Sequence, residues 1–291
     1  MIESSHTPNA FTVDLEEWFQ GLTSTNARPE QWPALESRVV GATQVLLRLL
    51  DEYGVRATFF ILGYVADTHP RLVEHITEQG HEIGVHGYWH RFVSRMSRAE
   101  FETELDRALT AVMAVTGRLP LGHRAPYFSI NAQTPWAFEV LAERGLIYDS
   151  SVFPTRNMLY GFPGAPRFPY VIDELGLVEF PATTMRLGGR NWPVAGGFYN
   201  RALPYSVIKH GISQVNAAGQ PAVLYIHPWE LDTGQRYAGV TPRERVTHYF
   251  GRGGLEAKLR NLFTDFRFGP LADLLPLVSG ASTVHTARDA G

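Results

Sequence analysis

The chain has 291 residues, 44% of them hydrophobic and 19% charged, with a formal charge of −3; that is enough for a sizeable core and fits one large α/β domain. A near-neutral balance with no basic block argues against nucleic acid or an anionic membrane surface as a partner. The absence of cysteine excludes disulfides and thiolate-bound zinc, so any metal has to be held by His, Asp or Glu.

From the N-terminus, the first nineteen residues show no basic stretch followed by an apolar one, so no signal peptide is expected. The longest apolar run, near 57–66, is far short of the roughly 18 residues that span a bilayer. The chain is therefore expected to be cytoplasmic, without a membrane span.

"FTV" before Asp14 reads as a buried strand, and 37–54 as a helix stopped by Gly54. A second apolar run, 55–63, is followed by a helix over 70–80, with Pro70 near its start and Gly80 past its end. "HEIGVH" (81–86) is strand-like, and 97–117 is a long amphipathic helix opened by Ser97 with Glu100 three residues on.

Further strand candidates are "LGHRAP" (121–126), "LIYDSS" (146–151), "GLVEFP" (176–181) and "AVLYIHPWE" (222–230), with helices at 131–145 and 203–219 between them. This strand–helix rhythm predicts an α/β fold around a parallel sheet, open or closed into a barrel. Residues 155–176, rich in Pro and Gly, read as a long ordered loop, and 285–291 as a frayed tail. One domain over 1–291 is expected, and no interface stripe indicates an oligomeric state.

Chemistry-bearing residues gather where these strands end: carboxylates after "FTV", His86 after "IGV", Arg124, Asp149, and His227 after "VLYI". In parallel α/β architectures the ligand site forms at the carboxyl ends of the strands, so residues distant in sequence can share one rim. His86 and His90, four apart, would sit roughly 13 Å apart in an extended strand. If Gly87 breaks the strand and a helical turn follows, they come to about 6 Å between Cβ atoms and can share one cation. A hydrolytic zinc takes three protein ligands plus water, so a carboxylate is still needed. Asp14 and Glu16 lie two apart, on one side of an extended segment. One can bind the metal and the other take a proton from the bound water.

In order and spacing, "FTVDLEEWF", "ATFFILG", "HGYWH", "RAPY", "YDSS" and "LYIHPWE" resemble the motifs of the polysaccharide deacetylases, carbohydrate esterase family four (NodB homology). The resemblance runs from about residue 10 to 268. "PVAGGFYNRALPY", "HPWEL" and "LFTDFRFGPL" are similar to the branch found with bacterial exopolysaccharide gene clusters. The resemblance implies a distorted (β/α)7 barrel and metal-dependent removal of acetyl groups from sugars. The implied cation is divalent, zinc first, with cobalt and nickel as alternatives.

Residue by residue, the resemblance makes Asp14 the general base and His86 and His90 metal ligands. Arg124 would orient the base, and the Tyr127 backbone N–H would help hold the oxyanion. Asp149 would support the site wall, and His227 would be the general acid. The family's adjacent aspartates are not present, because Leu15 follows Asp14; the carboxylate ligand is assigned to Glu16, with Glu17 as rival and otherwise expected at a solvated position. Gly87 stands where many members carry Ser or Thr, so a hydroxyl bracing the histidine loop is missing. Trp89, Trp192, Phe198, Tyr199 and Trp229 are candidates for stacking on sugar, with core packing as the default. The other histidines, His123 and His248 among them, are expected in solvated or capping positions.

Three functions are compatible with these residues. The first is an N-deacetylase acting on an acetamido sugar of a polysaccharide or its precursor. The second is a hydrolase of a small amide or cyclic ureide on the same fold. The third is an inactive, glycan-binding barrel.

Overall fold

The computed structural model describes residues 7–26, 28–156 and 161–278. The expected frayed tail, His6, His285 and residues 157–160 of the expected loop lie outside them. In chain order the strands are β1 (Asn9–Leu15), β2 (Thr58–Ile61), β3 (Glu82–Val85), β4 (Gly122–His123), β5 (Tyr148–Asp149), β6 (Tyr170–Ile172), β7 (Leu177–Glu179), β8 (Thr184–Leu187), β9 (Arg190–Pro193), β10 (Val223–Ile226) and β11 (Phe268–Gly269).

Seven of them, in the spatial order β10-β1-β2-β3-β4-β5-β7, make a curled parallel sheet. β6 joins β7 antiparallel, and β11 lies beside the first residues of β1. Alternate residues of a parallel strand turn their backbone groups to opposite neighbours. Ala222 thus bonds β1, while the carbonyl of Val223 accepts from Thr183 N (3.3 Å) and its N–H donates to Thr183 Oγ1 (2.7 Å). That seam brings the free edge of β10 to the chain just past β7. The fold is the distorted (β/α)7 barrel expected.

The period-two alternation of β1 shows why the site lies where it does. Phe11, Val13 and Leu15 point outward into the main hydrophobic core. There they meet buried faces of the helices Val39–Glu52, Arg98–Thr116 and Leu255–Asp265. Each such fully buried side chain contributes about 1.5–3 kcal/mol. Ala10, Thr12 and Asp14 point inward, and Glu16 continues that series beyond the strand. The lower interior is apolar, filled by Ala10, Phe60, Tyr148, Phe180 and Val223 and plugged by Leu271 and Leu274. Gly122 is required there, because a Cβ at that position would stand 2.0 Å from the Tyr148 ring. The polar groups at this lower end are paired with one another, Thr58 and the Tyr148 hydroxyl both donating to Glu82, while the ligand-type side chains gather at the upper, carboxyl end.

Three readings of the sequence need correction. The expected loop 155–176 contains β6, whose Tyr170 and Ile172 are buried; its Pro and Gly content masked the short apolar alternation. β8 and β9 form a separate hairpin, not among the expected strands, turned by Gly188 and Gly189, both at positive φ, as a Gly-Gly turn allows. The helix Pro242–Tyr249, capped by Thr241 and Glu244, was also missed, since its residues show little apolar periodicity. Among the described residues no helix is long and apolar enough to cross a membrane.

Candidate metal centre and active site

The loops after β1, β3, β4 and β10 surround one cavity of about 360 Å³, lined by Asp14, Glu16, His86, His90, Tyr127 and His227, among others. One atom from each of Glu16, His86 and His90 falls within 4.8 Å of the others, and all three residues are buried. His86 Nδ1 lies 2.7 Å from the Arg124 carbonyl, which accepts its proton and leaves Nε2 free to ligate. Glu16 Oε2 is 2.6 Å from His90 Nε2, yet it makes no directed hydrogen bond among the described residues. A buried, underbonded carboxylate oxygen beside two imidazoles fits a divalent cation with mixed oxygen and nitrogen ligands. Burial pushes the Glu16 carboxyl up, but the charges on His90 and His227 outweigh it and bring the pKa to about 2. Burial lowers His86 to about 4, keeping it neutral.

The histidine pair meets by a route other than the expected helical turn. Residues 86–90 form an irregular loop with Gly87 (φ 73°) and His90 (φ 53°) in the left-handed region, and the two rings stand 5.2 Å apart. The missing hydroxyl brace is replaced by Glu104, which accepts from Tyr88 N (3.2 Å) and Trp89 N (2.6 Å). Glu17, expected to be solvated, is buried on the opposite side of the strand from Glu16. Its carboxylate accepts from Ser37 Oγ and from Arg38 N (3.0 Å), at the start of the helix Val39–Glu52.

Arg124, with no exposed surface, donates to Asp14 Oδ1 (2.8 Å), Thr12 Oγ1 (2.7 Å) and both oxygens of Ser150. This fixes one Asp14 oxygen and leaves Oδ2 facing His227 Nε2 at 3.8 Å. The other face of His227 is held by Glu230, whose Oε1 lies 2.6 Å from Nδ1. Glu230 Oε2 in turn accepts from the buried Arg201 at 2.5 Å. Burial works against a charge on His227, but Glu16, Glu230 and Asp14 prevail and raise its pKa to about 9.

Tyr127 and Phe128 both adopt left-handed backbone (φ 58° and 50°). Such strain costs about 1–3 kcal/mol per residue and concentrates at functional loops. The Tyr127 ring packs on Phe92 (3.9 Å, stacked) and against His90 (4.5 Å). Asp149 is buried beneath the rim. It holds His123 Nδ1 at 2.7 Å and accepts from Ser151 Oγ, which itself takes the Ala125 N–H. Asp149 thus sets the loop that carries Arg124 and Tyr127.

The aromatic candidates separate. Phe198, Tyr199 and Trp229 line the cavity. Trp229 also stacks on His227 (4.8 Å) and donates its indole N–H to Glu16 Oε1 (2.9 Å). Trp89 instead packs among Trp32, Tyr64 and Tyr88, outside the lining. Trp192 stands on the hairpin, in a different groove. His123 and His248, expected in solvated or capping positions, are buried, and His248 stacks on Trp229 at 4.1 Å. The sequence reading assigned no role to Glu230, Arg201 or Glu104. Only Glu230 carried a signal, its spacing of three from His227 across a proline turn.

Residues 35–145 match the family model described as Polysaccharide deacetylase. Residues 150–276 match a model described as a domain of unknown function (DUF3473). Both regions contribute strands to the same sheet. Peptidoglycan deacetylase-like protein FGM2 of Gibberella zeae is 33% identical over 124 residues, 40% of this chain and 36% of that protein. Chitin deacetylase 1 of Saccharomyces cerevisiae is 36% identical over 90 residues, 31% of this chain and 29% of that protein. The matched stretch thus spans about a third of these relatives' lengths.

Among solved structures, one from Mycobacterium smegmatis named for the polysaccharide deacetylases superposes with a TM-score of 0.69 at 22% identity, covering 100% of this chain and 96% of that one. The Puue allantoinase structure gives 0.60 at 15% identity, covering 94% and 90%. At these identities the two superpositions establish the shared fold alone.

Proposed function

Because the chain belongs to the polysaccharide deacetylase superfamily, we propose that it is a metal-dependent hydrolase that removes N-acetyl groups from acetamido sugars of a polysaccharide or its precursor. The observation that carries this reading is the convergence of Glu16, His86 and His90 within 4.8 Å, with Asp14 and His227 lining the same cavity.

Glu16, His86 and His90 would hold the divalent cation, with zinc the first choice for this ligand set. When bound, such an ion polarises a carbonyl and lowers the pKa of a water ligand. Asp14 supports proton removal, since Arg124 neutralises one oxygen and the other stays open toward the cavity. His227, charged and oriented by Glu230 through Nδ1, presents Nε2 to give a proton to the departing amine. The Tyr127 N–H is assigned to the developing oxyanion, the role the family resemblance gives it. Tyr199 and Phe198 offer ring faces to the sugar. The intact base, acid and ligand set weighs against an inactive binding barrel. An exopolysaccharide substrate is the finer form of the proposal, supported by the resemblance of residues 193–205 and 262–271.

The test is acetate release from N-acetylglucosamine oligomers by protein loaded with Zn²⁺ or Co²⁺, with small cyclic ureides assayed in parallel. Acetate release abolished by a chelator and restored by added ion is the expected result. Turnover of ureides without acetate from any glycan would reject the proposal.

A further inference from the structure

Beside the cavity lies a larger groove, about 1090 Å³, walled by the β8–β9 hairpin and by residues 154–156 and 163–168. Arg167, Arg186 and Arg190 line it together with Arg156, and its lining contains no carboxylate. Arg186 and Arg190 are exposed, and none of the three has an ion-pair partner among the described residues. Arg167 is spent partly on Thr184, donating to its hydroxyl (3.2 Å) and its carbonyl (2.6 Å). Burial and the neighbouring Arg186 charge both lower its pKa. The cluster is thus electrostatically uncompensated. Other surface arginines do find partners: Arg98, Arg144 and Arg260 each meet carboxylates at 3.0 Å or less.

Trp192 stands in the same groove with half its surface exposed, its indole N–H 3.3 Å from the Leu187 carbonyl. A large aromatic held in place on an exposed hairpin offers a flat face of the kind sugars stack on. Tyr199 lines both this groove and the catalytic cavity, so the two spaces adjoin.

We propose that this groove binds an acidic stretch of the glycan, its oxyanions on Arg167, Arg186 and Arg190 and a sugar face on Trp192, while the acetamido sugar occupies the adjoining cavity. The substrate class is then an anionic glycan. A planar guanidinium suits either carboxylate or phosphate oxygens. The inference rests on the deacetylase reading for the identity of the chain, but its test reads binding and needs no turnover.

Calorimetry on the full chain would compare a hyaluronan tetrasaccharide, which carries carboxylates, with neutral N-acetylchitotetraose and with UDP-N-acetylglucosamine, which carries phosphates. The acidic ligand should bind about ten-fold more tightly than the neutral one, and added salt should erase the difference. Arg186→Ala/Arg190→Ala should reduce that preference from about ten to about one, the scale expected when two charge-assisted contacts are lost. Trp192→Ala should weaken both oligosaccharides while leaving the ratio intact. Arginine-dependent binding of hyaluronan identifies a carboxylate ligand, and of the nucleotide sugar alone a phosphate ligand; either sustains the proposal. Equal affinity for acidic and neutral ligands, or a preference that survives the double substitution, overturns it. If no glycan releases acetate but the preference holds, the hydrolytic reading fails and the groove stands. A circular dichroism spectrum matching the parent shows that the variant is folded.

Discussion

At the scale of single residues, the site depends on groups one step behind those that face the cavity. Trp229 is the clearest case, because its indole N–H is bonded to Glu16 and its ring is stacked between His227 and His248. Trp229→Phe keeps the stacking and removes the donor. It should weaken Zn²⁺ or Co²⁺ binding by about 10–100-fold, measured by competition with a chromophoric chelator. Glu230 supplies a charge and a hydrogen bond that help raise His227 to about 9. A general acid works only while protonated, so activity is lost above its pKa. Glu230→Gln lowers that pKa, and the alkaline limb of the kcat/KM profile should move to lower pH. Arg201 is buried, and removing it would take a donor from Glu230 Oε2 and from the carbonyls of Thr247 and Phe250. Arg201→Met should therefore cost about 3–5 kcal/mol in denaturant unfolding.

At the scale of elements, what could be read from the sequence follows from periodicity. β1, β2, β3 and β10 were legible because strands buried on both faces read as continuous apolar runs. Asp14 and Glu16 were legible as a pair because period two puts them on one side of β1. The loop carrying His90 was not, since left-handed backbone at a histidine leaves no mark in composition, and the expected helical turn is absent. Nor was the Glu104 brace, which reaches the loop from a helix face that reads as ordinary amphipathic surface. The helix Pro242–Tyr249 supplies Arg243, Glu244, Thr247 and His248 to the cavity wall. It is held at its start by the Thr241–Glu244 capping box, and Glu244 also takes Thr23 Oγ1 and Ser24 N. Thr241→Ala should cost about 1 kcal/mol and raise amide exchange in that helix before the strands, as followed by mass spectrometry.

At the scale of the whole molecule, the first strand is paired with nearly the last, β1 lying between β10 and β2. A fragment ending at residue 145 would contain the family-matched segment but lack His227 and the strand that completes the inner sheet. It should show no cooperative thermal transition and no metal binding. Stability also has a pH dependence of fixed sign. Burial lowers His81 to about 4 and His248 to about 2, against an ordinary value of 6.5. Below about pH 6.5 the unfolded chain takes up protons that the fold refuses, so this contribution is full above that pH and declines as pH falls toward 4. The thermal midpoint should fall across that window, and His81→Gln should flatten the fall. Finally, the Thr183–Val223 closure behaves as the clasp of a ring. Every reacting group rides on the unbroken arc from β10 through β1 to β4, and the clasp lies on the outer edge of that arc, at β10. Loosening it would widen the vestibule for a bulky chain while the proton-transfer and ion-holding groups keep their mutual spacing.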